Sequence, residues 1–279
     1  MSQEEQNGKH PMIIAAADEL MRPRTRRGFM RALMAGGTVV MLPSVFASCE
    51  DNDVTGPGDG PAPPVTGLSF DLRSDVGIFR LVHVQEQLEA AFYTAVVASG
   101  NFGSFFNSDE RELFTDLRDV EVIHREFVRT LLGSQAVPDL SGSLNDDTLA
   151  TLMSSRISVL NASRTFETLG VSALNGAGKY LQDARNLLVA GKFASVEARH
   201  LAALSDLAPP AGVNANTAFA SDNDIDDNGR DVKLEAGAVV QHVLALNVLA
   251  AGTLANPAIT NAPTATQGVP TADFFPSNP

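Results

Sequence analysis

The chain is short of cysteine, of large aromatic residues and of basic residues. Cys49 is the only cysteine among 279 residues, so a disulfide within the chain is excluded. There is no tryptophan and there are only two tyrosines, whereas alanine, leucine and valine are abundant, and this composition favours helices. Lysine and arginine number 20 against 33 aspartates and glutamates, which gives a net charge of −13. So acidic a surface repels phosphate backbones, and we expect no nucleic-acid partner.

The first 49 residues carry the features of an export signal. Residues 25–31 (Thr-Arg-Arg-Gly-Phe-Met-Arg) resemble the twin-arginine pattern, and the uncharged stretch 32–48 that follows is short for a membrane span. Phe46-Ala47-Ser48-Cys49 resembles a bacterial lipobox, in which small residues precede a lipidated cysteine. We therefore predict a twin-arginine signal peptide with a lipobox over 1–49 and a periplasmic or cell-surface protein that is lipid-anchored to the membrane through Cys49. The alternative is a signal anchor with an incidental cysteine.

The remainder divides by composition into four segments. Glycine and proline alternate within an acidic stretch, which predicts a flexible linker over 50–73. A helical bundle is predicted over 74–208, and an acidic loop followed by a fifth helix, from Lys233 to Thr253, is predicted within 209–255. Residues 256–279 are rich in Pro, Thr, Ala and Asn and are predicted to be a disordered tail. The hydrophobic content of 44% suffices for one sizeable core.

Capping residues and breakers delimit the helices of the bundle. The first is predicted from Ser74 to Ser99, and the second from Asn107 or Ser108 to Gly133. The third begins at Asn145, with a bend or break near 176–178, where two glycines stand. A short helix over 180–189 and a last helix that begins near Ser195 and stops at 209–210, both proline, complete the set.

Two of these helices contain the sequence Glu-x-x-His, as Glu121/His124 and Glu197/His200. Residues three apart lie on one helix face, so each pair can reach one metal ion. Beyond Cys49 there are four histidines and ten glutamates, and two such pairs arise by chance about one time in a hundred. The alternative is a pair of exposed histidines with helical glutamate partners.

The pattern repeats as two halves, each with an inward glutamate followed by Glu-x-x-His. Glu86 precedes Glu121/His124, and Glu167 precedes Glu197/His200, at similar separations. Two helix pairs related by pseudo-symmetry would bring six ligands to the middle of a bundle, the carboxylate-bridged dimetal arrangement. Four buried carboxylates could not all stay ionised alone, whereas two divalent cations would offset their charge.

These residues carry a family resemblance that covers about residues 74–207. Residues 86–93 (Glu-Gln-Leu-Glu-Ala-Ala-Phe-Tyr), the helix around Glu121 and His124, residues 166–173 and residues 196–200 resemble the ferritin-like superfamily, and most of all its exported bacterial branch related to plant desiccation-associated proteins. The resemblance implies an all-α ferritin-like four-helix bundle, here with an additional C-terminal helix, and two iron or manganese ions. The ligands that it implies are Glu86, Glu121, His124, Glu167, Glu197 and His200.

Some assignments near this site stay open at the level of sequence. Glu89 could replace Glu86 as a ligand, or it could contact the ligands without binding the metal itself. The two-turn step from Glu86 to Tyr93 favours Glu86 as the ligand. Tyr93 is either a neighbour of the ligands or a core aromatic residue. Leu174 occupies the matching place in the second half, where related chains often carry tyrosine. His83 is expected on the flank of its helix, the alternative being a contact with the ligands, and His242 is expected on the surface or in a packing contact and not as a ligand.

A second cation site is suggested by residues 224–235. Asp224, Asp226, Asn228 and Glu235 fit the spacing of a calcium-binding loop, and Gly229 permits its sharp turn. Asp231 occupies a place where such loops have an apolar residue, and the preceding segment is not helical. The alternative is an acidic, solvated loop.

Three functions fit these features. The first is an exported dimetal oxidoreductase of the oxidase, peroxidase or catalase type, acting on oxygen or peroxide. The second is a non-catalytic protein that binds metal or protects against stress or desiccation. The third is a lipid-tethered, calcium-dependent binding module. Homo-oligomers are possible in each case, and the sequence does not distinguish iron from manganese.

Overall fold

A computed structural model describes residues 62–221, 224–227 and 229–269. The predicted signal peptide, Cys49 and the first part of the linker lie outside these residues, as do Asn228 and the last ten residues. Among the residues described, no helix combines the length and the apolar character that crossing a bilayer requires.

The first long helix, α1 (Asp75–Ala98), is buried on almost every face. Ser74 caps it, accepting a hydrogen bond from the Gly77 amide at 3.2 Å, and Asp75 follows in the first turn. Its interior position explains why polar side chains such as Gln85, Gln87 and Glu89 are buried beside its apolar ones. Buried polar groups need hydrogen-bonding or ionic partners, so we expect this helix to contribute to a functional site.

The second long helix starts where it was predicted to start. Asn107 and Glu110 form a reciprocal capping box at the start of the second long helix. The bounds are α2 (Phe102–Phe105), α3 (Ser108–Leu132), α4 (Asp146–Leu152), α5 (Arg156–Gly178), α6 (Ala184–Leu207) and α7 (Ala236–Leu246), with 3₁₀ turns at Gly133–Gln135, Ser141–Ser143 and Ala215–Ala220.

The bundle consists of two helix pairs that are joined by a crossover loop. α1 packs mainly against α3, and α5 packs mainly against α6. The crossover loop is pinned to α1 by two inward side chains one turn apart: His83 Nδ1 accepts from the Val137 amide, and Gln87 Oε1 accepts from the Leu140 amide. The predicted all-α class, with a four-helix bundle and an added C-terminal helix, is therefore confirmed.

Two helix boundaries differ from the sequence predictions. The break in the third region lies at residues 153–155, between α4 and α5, and α5 continues to Gly178. The predicted short helix and last helix are one helix, α6, with Gly191 in its interior. Gly191 is exposed with no atom within 4 Å of where a Cβ would stand, so its cost to the helix is the modest intrinsic cost of glycine and not a break.

His83 also differs from its predicted place on the flank of α1. Its side chain is buried, and burial lowers the pKa of His83 to about 4. The imidazole is therefore neutral near pH 7, which suits a nitrogen that accepts a hydrogen bond from Val137.

The linker and the tail both contain structure that the composition did not predict. β1 (Leu68–Asp71) lies within the predicted linker, and β2 (Leu254–Asn261) lies within the end of the predicted fifth-helix segment and the start of the predicted tail. The two strands pair in parallel, with Leu68 opposite Leu254 and Phe70 opposite Ile259. Flexible and disordered are thus wrong descriptions for these residues, because burial of Leu68 and Phe70 against the bundle offsets the entropy of ordering them.

The C-terminal helix is shorter than predicted. α7 begins at Ala236 and ends at Leu246, where Asn247 adopts the left-handed conformation with φ 54°. Val239, Val240 and Val243 are its buried face. The segment before its N-terminus is held on α5 by a hydrogen bond from the Leu234 amide to the Ser172 carbonyl, 2.9 Å long.

Candidate metal centre

Four helices bring the six predicted ligands together in the middle of the bundle. α1 supplies one glutamate, α3 supplies Glu-x-x-His, α5 supplies one glutamate and α6 supplies the second Glu-x-x-His. All four carboxylates are at most 1% exposed. We call these residues the carboxylate–histidine centre: Glu86, Glu121, His124, Glu167, Glu197 and His200.

The first half of the centre surrounds His124. Its Nδ1 lies 2.9 Å from Glu197 Oε1, 3.2 Å from Glu121 Oε2 and 3.4 Å from Glu86 Oε2. A single ring nitrogen carries at most one proton and can satisfy only one of these oxygens well. Three carboxylate oxygens and one nitrogen from three helices thus face one point, as ligands face a cation.

The second half surrounds His200 in the same way. Its Nδ1 lies 2.9 Å from Glu121 Oε1, 3.2 Å from Glu167 Oε2 and 4.0 Å from Glu197 Oε2. The side chain is 12% exposed against 7% for His124, so this half is nearer to the solvent.

Glu121 and Glu197 belong to both halves. Each directs one oxygen towards His124 and the other towards His200. Two overlapping groups of ligand atoms, each within 4.8 Å, result: Glu86, Glu121, His124 and Glu197, and Glu121, Glu167, Glu197 and His200. The geometry therefore offers two adjacent cation positions with two bridging carboxylates.

Several oxygens of the centre have no hydrogen bond of acceptable geometry within the described part of the chain. They are Glu86 Oε2, Glu121 Oε1 and both oxygens of Glu197. Leaving a buried carboxylate oxygen without a donor is costly, and a divalent cation is the partner that such oxygens accept. The residues present thus fit two metal ions in number, in type and in their unused lone pairs.

The electrostatics point to the same need for cations. Burial raises the pKa of Glu86 to about 7, and burial together with the neighbouring carboxylates raises the pKa of Glu197 well above its usual range. Burial disfavours charge on His200 as well, yet Glu167 and Glu121 raise the pKa of that imidazole to about 10. Metal binding at these groups must therefore compete with protons.

Tyr93 contacts the centre directly. Its hydroxyl donates to Glu167 Oε1 at 2.5 Å and is completely buried, so the phenol connects α1 to the glutamate of α5. The matching residue of the second half is Leu174, which has no hydroxyl to donate to Glu86. The pseudo-symmetry of the two halves is broken at this pair.

Glu89 lies behind the centre and is not among the converging ligand atoms. Its Oε1 accepts from Gln85 Nε2 at 3.3 Å, whereas Oε2 has no hydrogen-bond partner among the described residues. Burial and the charge of Glu197 raise the pKa of Glu89 well above its usual value. The structure therefore brings Glu86, and not Glu89, to His124.

Three residues that the sequence reasoning did not select also shape the site. Phe193 stacks on the His124 ring with centroids 4.1 Å apart, and Gln85 holds Glu89. A Cβ at Gly170 would stand 2.9 Å from Gln85 Nε2 and 3.1 Å from Glu197 Oε2. The absence of a side chain at Gly170 therefore lets Gln85 and Glu197 pack closely against this part of α5. Phe193 stands one turn before Glu197, which was the available signal for its contact with the centre.

The predicted calcium residues do not converge in the part of the chain that is described. Asp226 pairs with Arg230, and Glu235 pairs with Lys179 and accepts from the Tyr180 hydroxyl. Asp224 accepts from the Ser221 hydroxyl. These oxygens are directed to different partners because the loop folds back through an Ile225–Asp231 bridge and not as a helix–loop–helix turn. His242 is exposed, as expected from its sequence context.

Comparison with known families adds a finding that the geometry does not depend on. Residues 74–209 match the family model described as the ferritin-like domain. Comparison with curated proteins gives no match. The matched segment starts at the cap of α1 and ends just after α6, so it contains every residue of the centre and excludes both strands and α7.

Proposed function

Since this chain belongs, through residues 74–209, to the ferritin-like superfamily, we propose that its carboxylate–histidine centre binds two iron or manganese ions and carries out redox chemistry on dioxygen or peroxide. The observation that supports this most is the division of Glu121 and Glu197 between the two histidines. Carboxylates shared in this way hold two cations close together, and paired redox metals can exchange more than one electron with one substrate.

The chain's own side chains define what the protein adds to such metals. The glutamates and histidines hold them, and Tyr93 fixes the orientation of Glu167 through its hydroxyl. Phe193 stacks on the ring of His124, and the rings of Phe92 and Phe166 pack together in the interior of the bundle, so apolar side chains limit water there. Bound iron or manganese would supply electron transfer to oxygen or peroxide.

Elemental analysis of protein purified without added metal tests the proposal. We expect close to two redox metals per chain, a sharp loss of metal in Glu121→Ala and in His200→Ala, and unchanged content in Glu112→Ala, whose side chain is exposed on the same helix as Glu121. Consumption of dioxygen or hydrogen peroxide should follow metal content. Metal without turnover would indicate storage or a structural role, and unchanged metal content in both ligand variants would refute the ligand assignment.

We also propose that the protein is exported by the twin-arginine route and is lipid-anchored at Cys49, on the strength of residues 25–31 and 46–49. Export of a folded protein suits a bundle that takes up its metals before it leaves the cytoplasm. Replacing Arg26 and Arg27 by lysine should retain the protein in the cytoplasm, and Cys49→Ser should release it from the membrane fraction. Membrane association of the Cys49→Ser protein would favour a signal anchor.

A further inference from the structure

One face of α3 is exposed and changes character along its length. Residues three or four apart on a helix lie on the same face, and five exposed side chains follow each other at this spacing. The first two are acidic and the last three are apolar: Asp116, Asp119, Ile123, Phe127 and Leu131. The exposed fraction is 63% for Ile123, 38% for Phe127 and 43% for Leu131, so three large apolar side chains in a row face the solvent. We call these five residues the acidic–apolar stripe.

One face of α6 is exposed in the same way but is basic. Arg185, Lys192 and Arg199 follow each other at intervals of seven residues, which is about two helical turns, and all three are exposed. Leu188, which is 53% exposed, lies on the same face. No exposed residue of the segment 184–205 is acidic, although the chain as a whole has a net charge of −13. We call these four residues the basic stripe.

The two stripes lie side by side on the bundle. Phe127 of the acidic–apolar stripe contacts Phe193 of α6, with ring centroids 5.5 Å apart, and Lys192 directly precedes Phe193. The exposed sides of the two helices, which have 25 and 24 residues, together offer about 700 Å² of surface. This area is close to the roughly 800 Å² that each partner contributes to an interface of standard size.

The charges of the two stripes are not neutralised by each other. Among the described residues, Asp116 and Lys192 form no ion pair, and Arg199 has only a long hydrogen bond of 3.4 Å to the Ser195 hydroxyl. The other two charged residues, Asp119 and Arg185, pair with sequence neighbours and not across the seam between α3 and α6. Both signs of charge therefore remain available to a partner.

A second copy of this chain carries the surface that matches both stripes. An anionic membrane would suit the basic stripe, but the acidic half of the neighbouring stripe would repel the same phosphates. In a symmetric dimer, α3 of each copy can pack against α6 of the other, so that acid meets base twice and the exposed apolar side chains are buried together.

We propose that the acidic–apolar stripe and the basic stripe form a dimer interface, in which the acidic–apolar stripe of one copy packs on the basic stripe of the other. The proposal goes beyond the proposed function and is independent of metal, because no residue of either stripe belongs to the carboxylate–histidine centre. Since Phe193 stacks on His124, a dimer that covers Phe127 also shields this side of the centre from solvent.

Reversing the charges of each stripe separately tests the interface. Native mass spectrometry counts the copies of the full chain that detergent micelles release. One variant combines Asp116→Lys with Asp119→Lys, and the other combines Lys192→Glu with Arg199→Glu. We expect the native chain to be dimeric and each variant to associate with itself about tenfold or more weakly, because like charges then face each other. The exposed Lys233→Glu, outside both stripes, should leave the dimer unchanged.

Mixing the two charge-reversed variants provides the internal control for folding. With one variant labelled with nitrogen-15, the mixture should form dimers that contain one copy of each, since acid again faces base on both helices. Restored association in the mixture also shows that both variants are folded.

The apolar part of the interface gives a second measurement. Ile123→Asp removes an exposed apolar side chain from the acidic–apolar stripe, and Ile157→Asp makes the same change on α5, where the side chain is 55% exposed. We expect Ile123→Asp to weaken self-association about tenfold or more and Ile157→Asp to have no effect.

A native chain that stays monomeric, or a dimer that neither charge-reversed variant weakens, would overturn the proposal. A dimer that both variants weaken but that mixing does not restore would show that the two stripes do not face each other. Binding of monomeric Cys49→Ser protein to phosphatidylglycerol vesicles, lost on reversal of the basic stripe, would assign that stripe to an anionic membrane instead.

Discussion

Glu121 and Glu197 differ from Glu86 and Glu167 in the number of cation positions that they serve. The first two divide their oxygens between His124 and His200, whereas Glu86 faces only His124 and Glu167 faces only His200. Loss of a bridging carboxylate should therefore disturb both positions, and loss of a terminal one should disturb a single position.

This difference predicts a graded effect of conservative substitutions on metal content. Glu197→Gln keeps the shape of the side chain but removes the charge shared by both cations, so we expect less than one metal per chain. Glu86→Gln should retain about one ion, because Glu121, Glu167, Glu197 and His200 still form a complete group. Mass-spectrometric metal analysis of the purified variants gives the measurement.

Glu112→Gln is the matched control, because Glu112 is exposed and lies on a different face of α3 from Glu121. Equal metal loss in Glu86→Gln and Glu197→Gln would contradict the assignment of bridging and terminal roles.

His83 provides a second prediction at the scale of one residue, concerning pH. Burial lowers the pKa of His83 to about 4 in the folded protein, below its ordinary 6.5 in an unfolded chain. Between these values the unfolded chain binds a proton that the folded protein does not, so stability falls as pH falls from about 6.5 to about 4. We expect His83→Gln to lose about 2 kcal/mol less of its free energy of unfolding than the native protein does between pH 7.5 and pH 5.

Urea unfolding of both proteins at the two pH values measures this difference. Comparing the two proteins removes the contribution of the carboxylates, which titrate in both. The exposed His242→Gln should behave as the native protein does. If His83→Gln and the native protein lose the same stability on acidification, the buried neutral imidazole is not the cause.

At the scale of elements, the C-terminal segment docks on α5 through a close backbone approach. A Cβ at Gly176 would stand 1.7 Å from the Leu234 carbonyl oxygen, and the Leu234 amide donates to Ser172 one turn earlier. The absence of a side chain at position 176 therefore permits the segment before α7 to lie against the bundle. Gly191 in α6 has no such neighbour.

The two glycines predict opposite effects of the same substitution. Gly176→Ala must displace residue 234 and should cost about 1–3 kcal/mol of stability. Gly191→Ala should raise the free energy of unfolding by about 0.5–1 kcal/mol, because alanine favours an exposed helix interior more than glycine does. Chemical unfolding measures both, and hydrogen exchange at the Leu234 amide should accelerate only in Gly176→Ala. A neutral Gly176→Ala would show that α7 is not held by this contact.

For the whole molecule, the buried carboxylates predict that stability depends on metal binding. The centre concentrates four carboxylates where burial opposes their charge, and the chain as a whole carries −13. Cations that bind only the folded protein stabilise it by mass action, by about 2.7 kcal/mol at a free concentration one hundred times the dissociation constant. Folding and metal uptake should therefore depend on each other.

We accordingly expect the melting temperature to rise by several degrees when iron(II) or manganese(II) is added to metal-free protein under anaerobic conditions. The rise should be smaller at pH 5 than at pH 7.5, since burial keeps the pKa of Glu86 near 7 and the interactions with Glu167 and Glu121 keep that of His200 near 10, so protons compete with the cations. Calorimetry with and without metal measures both effects. Glu197→Gln should show little rise, and an equal rise in that variant would place the bound metal elsewhere.

The sequence alone predicted the starts of the first two long helices and the two Glu-x-x-His pairs, because both depend on local patterns. The three-residue spacing of Glu121/His124 and of Glu197/His200 indicates two metal-binding pairs. The capping side chains of Ser74 and Asn107 indicate where two helices begin. The order of the four elements then indicated that Glu86 and Glu167 belong with them. Local rules failed at Gly191, where tertiary packing of α6 outweighs the weak helix preference of glycine.

Only the tertiary structure decided which contacts join residues far apart in the chain. The pairing of β1 with β2, the hydroxyl of Tyr93 on Glu167 and the approach of Glu86 to His124 each bring together groups from different elements. The same holds for Glu235, which fits a calcium spacing but pairs with Lys179 and Tyr180 instead. Spacing along one helix fixes which side chains share a face, whereas the packing of several helices fixes what each face meets.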